Sequence, residues 1–426
     1  MRDTIANAWP QAVRTALIRL ADAGFTACLV GGCVRDLLSG RQPSDFDLAS
    51  DARPEQVLAL FDDQTVIETG LQHGTVLVVL DHVPLEITTF RVDGSYTDRR
   101  RPDTVHFTNQ ITADLSRRDF TINAMAWAWP RGQVSARFDP ADVIDPFGGQ
   151  TDLRQRLVRC VGQPEQRFDE DALRILRALR FASVLKFQIE PRTAAALAKQ
   201  AVLLASVARE RVYHELMLTL GGPGAASVVA AFADVLRVVL PDVPVDSEAV
   251  SRLAGMLARL PDQAVLRLAA LLRSVRDPIQ FGGQLDRLRC DRATRTHVLG
   301  LAACRDRLPA PDLPCVKHWL RRCTPEVALD TILVEQAALA SGYLPSPYSP
   351  DQLADLERRI RQIRAQNACY RLSDLAVSGD DLLQLGMKPG RAVGRLLGRL
   401  LDRVIAGQLP NRKEALLAEA QKELEA

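Results

Sequence analysis

The segment Leu29-Val30-Gly31-Gly32-Cys33-Val34-Arg35-Asp36-Leu37-Leu38-Ser39-Gly40, followed closely by Asp45-Phe46-Asp47-Leu48, constrains this chain more than any other stretch. It reads as a strand, a double glycine, a helix and a loop that opens a second strand. Side chains alternate faces along a strand, so Asp45 and Asp47 point one way while Phe46 and Leu48 point into the core. Two carboxylates held that close repel each other unless a divalent cation lies between them, and oxygen-seeking Mg²⁺ suits such a pair. Gly31 and Gly32 let backbone amides approach an anion, and a helix starting near Val34 aims its positive end at the same place. Asp-x-Asp alone, or Gly-Gly alone, also occurs in solvated turns and loops. The full order of elements is far more specific and describes a triphosphate cradle beside a metal clamp.

At 426 residues the chain exceeds one typical domain and can bury large cores. Aromatic residues are only 5%, which argues against a base-stacking platform. With 54 Lys and Arg against 52 Asp and Glu, a nucleic-acid partner would be met by local basic patches and not by a global field. The eight cysteines include no Cys-x-x-Cys pair, so a zinc site is not expected, and Cys28 and Cys33 read as small apolar fillers. The N-terminus lacks a signal-peptide core and no apolar run is long enough to span a bilayer, so the chain reads as cytoplasmic and reduced, with no membrane partner. Oligomeric state is not legible.

Along the chain, residues 1–24 read as a helix with Ala12, Leu17, Leu20 and Ala21 on its apolar face. Strand patterns dominate from 25 to about 145, including a hairpin in which Asp81-His82-Val83 joins two β-branched runs. The polar stretch from Arg91 to Asp103 is expected to stay unpacked. Beyond about residue 150, Leu/Ala/Arg-rich helices alternate with breaks such as Gly221-Gly222-Pro223-Gly224. The fold class expected is α+β: a small head, residues 1–150, with a mixed sheet plus helices, then an all-helical neck (151–220), body (221–310) and tail (311–426).

Three further constellations carry chemistry. In Arg117-Arg118-Asp119-Phe120-Thr121-Ile122-Asn123-Ala124, Arg118 can grip phosphate as a planar fork and Asp119 can accept from ribose hydroxyls, although the run also fits a charged turn capping a helix. Glu170-Asp171-Ala172-Leu173-Arg174-Ile175-Leu176-Arg177 reads as one amphipathic helix with Asp171 and Arg174 on a shared face. That pair fits an ordinary surface ion pair. It also matches the Watson–Crick edges of cytosine and adenine, each an amine beside a ring acceptor, and opposes those of uracil and guanine. Near the C-terminus Arg391, Arg395, Arg399 and Arg403 recur every four residues, either as a solvated face or as a ridge for a phosphate backbone; no acid interleaves from Arg391 to Arg399. The six histidines show no metal-ligand spacing and no His-Asp pair, and are read as structural or surface residues.

These motifs together resemble the class II tRNA nucleotidyltransferases of the polymerase-β superfamily, which comprise the CCA-adding enzymes and the bacterial poly(A) polymerases. Leu-Val-Gly-Gly-Cys-Val-Arg-Asp with Asp-Phe-Asp, Arg-Arg-Asp-Phe-Thr-Ile-Asn-Ala and Glu-Asp-Ala-Leu-Arg carry the likeness over residues 24–220. Asp145–Leu153 resembles the family's hinge motif, and Glu210–Leu216 its later neck motif. A looser likeness continues through Ser378-Gly379-Asp380-Asp381-Leu382 and Gly386-Met387-Lys388-Pro389-Gly390.

The resemblance implies an enzyme that extends the tRNA 3′ end from CTP and ATP without a nucleic-acid template, by two-metal phosphoryl transfer. Asp45 and Asp47 would hold Mg²⁺, with Glu86 as a third carboxylate. Gly31, Gly32 and Arg35 would lie at the triphosphate, and Arg118 and Asp119 at ribose and phosphates. Asn123 and Arg177 join the nucleotide-binding set, and Asp171 and Arg174 would read the base. Arg391, Arg395, Arg399 and Arg403 would contact tRNA. The complete Phe90–Asp103 loop argues against pure CC-addition, and the acidic end Glu423-Leu424-Glu425-Ala426 argues against poly(A) synthesis. An A-adding specialist stays open. Beyond these stand a non-catalytic RNA-binding homologue, against which the intact Asp pair counts, and a nucleotidyltransferase for small molecules or proteins, disfavoured by the long helical portion.

Overall fold

The computed structural model describes residues 9–96, 102–133, 135–346 and 348–425. The chain divides into two compact units, Met1–Pro241 and Asp242–Ala426.

The first unit opens with helix α1, Gln11–Asp22, whose Ala12, Leu17, Leu20 and Ala21 are buried as the spacing demands. Strand β1, Ala27–Val30, is buried at every position and lies inside the sheet. Helix α2, Gly32–Leu38, follows at once, and β2, Asp47–Ser50, pairs antiparallel to β1. After α3, Pro54–Leu60, come β3, Thr65–Gly70, β4, Thr75–Leu80, and β5, Val83–Thr89. The β4–β5 turn is the two residues Asp81 and His82, both at positive φ; Val83 already pairs with Leu80. That conformation matches the twist of the flanking strands. Alternate residues of β4, namely Val76, Val78 and Leu80, enter the core.

The base of the stretch expected to stay unpacked is ordered. Strand β6, Arg91–Asp93, pairs with β7, Val105–Phe107. Arg91 is held by Asp93, and its backbone amide by Asp114, so buried ion pairing offsets the polarity that argued against packing. Residues 97–101 of that loop lie outside the described residues. Helix α4, Ile111–Ser116, and strands β8, Ala126–Ala128, and β9, Val143–Ile144, complete the head. Its mixed sheet has seven strands in the order β3-β4-β5-β2-β1-β8-β9, with only β2 and β5 parallel. This confirms the expected α+β head.

Within the same unit follow α5, Gly149–Gln155; β10, Leu157–Val158; α6, Pro164–Glu170; α7, Leu173–Leu185; β11, Gln188–Ile189; α8, Pro191–Gln200; α9, Arg209–Gly221; and α10, Ala225–Val239. Helix α10, expected in a separate body, packs against α7, α8 and α9 instead. The glycines read as a boundary make that packing possible. A Cβ at Gly224 would lie 2.8 Å from the Ser183 carbonyl oxygen, to which the Gly224 amide donates at 2.9 Å. Gly-rich sequence here marks close approach of two helices, not a linker.

The second unit is helical throughout its described residues. Helices α11, Ser247–Leu257; α12, Ala264–Leu271; α13, Pro278–Arg287; α14, Arg292–Arg305; α15, Leu313–Leu320; α16, Pro325–Ser341; and α17, Pro350–Ala365, follow, and Arg273, just after α12, forms a buried ion pair with Glu335 of α16 at 2.8 Å. His297 meets Asp330 at 2.9 Å, a His–Asp contact that no sequence spacing announced because α14 and α16 bring it together. Helices α18, Gly379–Gln384; α19, Arg391–Ile405; and α20, Lys413–Glu425, share a core around Leu382, Leu400 and Leu416. No helix among the described residues is long and apolar enough to cross a membrane.

Candidate active site

A cavity of about 550 Å³ lies within the first unit, lined by seven arginines, four aspartates, Gly31, Gly32, Asn123, Leu173 and Phe181. Its volume falls in the range of small-molecule sites. The acidic side follows from sheet register. Asp47 opens β2 and stands opposite Val30 of β1 and Glu86 of β5. Asp45 sits in the bend just before the strand and is exposed, while Phe46 and Leu48 enter the core. Gly31 caps α2 at φ 77°, and a Cβ there would meet Arg118 at 3.0 Å and Asp47 at 3.6 Å. The left-handed backbone favours glycine here, and a side chain would crowd the Arg118 guanidinium.

Neither Asp45 nor Asp47 forms an ion pair among the described residues. Burial, then the charge of Asp45, raises the Asp47 pKa above its usual value; Arg118 opposes this and Glu86 adds to it. One exposed and one half-buried carboxylate without a cationic partner among the described residues give the oxygen donors a hard divalent cation requires. The donor set therefore fits one.

The arginines are arranged differently. Arg35 contacts Asp36 at 2.9 Å and donates to Asn123 Oδ1 at 2.8 Å. Arg117 and Arg118 share Asp114, at 2.8 and 3.3 Å. Arg174 donates to Glu170 at 2.5 Å, Arg177 to Asp119 at 2.7 Å, Arg180 to Glu215 at 3.3 Å and Arg211 to Asp171 at 3.0 Å. Burial alone would raise the Asp114 and Asp119 pKa values, but their arginine partners outweigh it and hold both below the usual range. Arg118 Nε is buried without a hydrogen-bond partner among the described residues.

The chain resembles known proteins along its length. The Poly A polymerase head domain family matches residues 27–159, the family described as a probable RNA and SrmB-binding site of polymerase A matches 186–243, and tRNA nucleotidyltransferase domain 2 (putative) matches 348–420. A CCA-adding enzyme of Geobacillus stearothermophilus is 35% identical over 409 residues, covering 94% of each chain. The chain belongs to the CCA-adding enzyme family. A crystal structure of the Bacillus stearothermophilus CCA-adding enzyme in complex with CTP superposes with TM-score 0.77 at 30% identity, covering 97% of both chains. A Thermotoga maritima CCA-adding enzyme complexed with tRNA shares the fold, with TM-score 0.67 at 20% identity and 98% of this chain covered.

Against the motifs that carry the family likeness, the structure gathers Gly31, Gly32, Arg35, Asp45, Asp47, Arg118, Asp119, Asn123, Asp171, Arg174 and Arg177 at one cavity. Four expectations change. Glu170 to Arg177 is not one helix: α6 ends at Glu170, Asp171 is extended at φ −142°, and α7 begins at Leu173. Asp171 caps the new helix through the Leu173 amide at 3.0 Å, so the break itself points Asp171 and Arg174 at the cavity. Asp119 is buried and committed, accepting from the Phe120 amide, Asn123 and Arg177. It orients Arg177, and in the free protein its oxygens are already engaged by these donors. Glu86 stands beside Asp47 in register but is exposed, and no three His, Cys, Asp or Glu side chains gather as a metal-ready group among the described residues.

The fourth change concerns the arginine ridge of α19. Arg399 donates to Glu423 at 2.6 Å and Arg403 bonds Glu419, both acids reaching over from α20. Arg391 and Arg395 are exposed, with no acidic partner among the described residues. Sequence reasoning missed the acids because they lie on another helix. It also passed over Arg117, Asp114, Arg180, Arg211 and Glu170. The i,i+3 and i,i+4 spacing of Asp114 to Arg117 and Arg118 was the signal available for two of them.

Proposed function

We propose that this chain is a cytoplasmic tRNA nucleotidyltransferase that adds C and A to the tRNA 3′ end from CTP and ATP without a nucleic-acid template. One observation carries the reading. Two unpaired carboxylates, Asp45 and Asp47, share a single cavity with Asp171 and Arg174, a pair matched to the edges of C and A. The relatives named as CCA-adding enzymes, one of them solved with CTP, support it.

Asp45 and Asp47 would hold Mg²⁺, with Glu86 near them. An ion held there would supply charge neutralisation for the triphosphate and polarisation of the reacting oxygens. The tRNA 3′-hydroxyl oxygen attacks the α-phosphorus and gives up its proton to solvent, the α–β phosphoanhydride bond breaks, and pyrophosphate leaves. Arg35, Arg118 and Arg177 bind the phosphates beside Gly31 and Gly32, and the acids bonded to each guanidinium fix it before the nucleotide arrives. Asn123 holds Arg35.

Base choice falls to Asp171 and Arg174. Asp171 accepts from the exocyclic amine of cytosine or adenine, and Arg174 donates to the neighbouring ring nitrogen. Glu170 and the carbonyls of Arg167 and Arg117 hold the Arg174 guanidinium and leave its Nε–H without a partner among the described residues. Uracil and guanine would strand these groups, at about 1–3 kcal/mol each. Arg391 and Arg395 would bind tRNA phosphates.

The test offers tRNA lacking the terminal CCA, and tRNA ending in CC, each with CTP or ATP. Two C additions to the first and one A to the second support the reading. Extension only by A on the CC substrate would make the chain an A-adding specialist, long ladders of A a poly(A) polymerase, and no extension of either would overturn the proposal.

A further inference from the structure

Phe181 lies on α7 at the cavity and is 8% exposed. Three guanidinium groups surround its one ring. The Cζ of Arg180 is 4.4 Å from the ring centroid, and those of Arg35 and Arg177 are 5.5 Å away. Arg35 comes from α2 of the head, Arg177 and Arg180 from α7, so the ring joins two parts of the first unit at this point. Its orientation is set from behind by Phe120, edge-on at 5.6 Å and 78°. Phe120 is fully buried and follows Asp119, which anchors Arg177.

Three like charges drawn together repel. For Arg180, burial, and then Arg177 and Arg35, lower the pKa, while Glu215 and Asp119 oppose this. An aromatic face carries partial negative charge and attracts guanidinium without taking up its N–H donors. An acid in the same place would consume those donors. A leucine of similar bulk would leave only Asp36, Asp119 and Glu215 to offset the repulsion.

We propose that Phe181 is a positioning residue that gathers Arg35, Arg177 and Arg180 into one clamp for the triphosphate of the incoming nucleotide. The clamp takes polyphosphate whatever base is attached, so base choice stays with Asp171 and Arg174. This deepens the function proposed above, but its test does not depend on turnover.

The test is calorimetric binding of inorganic tripolyphosphate to the full chain in EDTA, for wild type, Phe181→Leu and Phe181→Tyr. Phe181→Leu should weaken binding about tenfold, and Phe181→Tyr, which keeps the ring, should restore most of it. In turnover, Phe181→Leu should raise KM for CTP and ATP by one common factor with little change in kcat or in the C-to-A preference. Should Phe181→Leu fail to fold, mono-, di- and trifluorinated phenylalanine at position 181 keep the shape while draining the ring face. Tripolyphosphate affinity should then fall stepwise with fluorine number. Affinity independent of fluorination, or a leucine variant that loses melting temperature but not affinity, would overturn the proposal. A wild-type chain that binds tripolyphosphate this way yet extends no tRNA would overturn the function above and leave the clamp standing.

Discussion

On one side of the cavity every guanidinium leans on an acid: Arg35 on Asp36, Arg118 on Asp114, Arg174 on Glu170, Arg177 on Asp119. On the other, Asp45 and Asp47 sit together with no cationic side chain paired to either among the described residues, and burial and mutual repulsion raise the Asp47 pKa. The arginines are finished in the free protein; the carboxylates are not. Cationic side chains meant to bind phosphate gain from being fixed in advance, because ordering them costs affinity later. Carboxylates that are to bind a metal must stay unpaired, and the folded chain carries the repulsion between these two as lost stability.

Asp47→Asn should therefore act in opposite directions on activity and stability. Incorporation should fall about 10³-fold or more, while the melting temperature of the cation-free protein rises. Because the Asp47 pKa is raised on folding, the folded chain takes up this proton at higher pH than the unfolded one. Wild-type stability thus falls as pH rises above the ordinary value of 3.8, and the variant should lack that component. A cation-free Asp47→Asn protein that melts below wild type would show that the carboxylate side carries no stored repulsion.

Asp114 should respond with the reverse sign. It is fully buried, shared by two arginines, and its pKa is lowered on folding. Its contribution is complete above 3.8 and is lost as pH falls through that value toward the lower folded pKa. Asp114→Asn should cost about 3 kcal/mol at neutral pH, since it strands buried charge, and should converge on wild type in acid. Thermal melts across pH 2–7 would check both carboxylates in one series, and parallel curves for Asp114→Asn and wild type would break the contrast.

Arg174→Ala should leave the phosphate clamp in place and relax discrimination against UTP and GTP by about 10–100-fold, read from competing incorporation. Glu170→Gln should move the same ratio less, because it loosens the arginine without removing it. Unchanged selectivity in Arg174→Ala would take base reading away from this side of the cavity.

How far the sequence could reach depended on how local each feature is. The strand–Gly31-Gly32–helix–Asp45-x-Asp47 order is contiguous, and sheet register alone brings its parts together, so it was legible whole. The hairpin at Asp81-His82 and the buried alternation of β4 were legible for the same reason. What escaped was set by contacts between distant segments. Nothing in the sequence showed that Arg177, 58 residues on, bonds Asp119. Glu170 to Arg177 has unbroken helical composition, yet Asp171 does better as a cap that serves a site than as a helical residue. Gly222 and Gly224 look like a linker unless Ser183 is known to lie against them.

The ridge of α19 poses the smallest effect and extends the contrast to the second unit. All four arginines look equivalent by spacing, but α20 neutralises Arg399 and Arg403 and leaves Arg391 and Arg395 open. Phosphate binding releases counterions only where the cation is not already paired within the protein. Arg391→Glu with Arg395→Glu should weaken tRNA binding severalfold and reduce the slope of log affinity against log salt by about 1 per residue, with melting temperature unchanged. Arg399→Glu with Arg403→Glu should do the opposite, since it sets like charges against Glu419 and Glu423: melting temperature falls while the salt slope holds. If both pairs flatten the slope equally, the acids of α20 yield to RNA and the pairing in the free protein has no bearing on which arginines bind it.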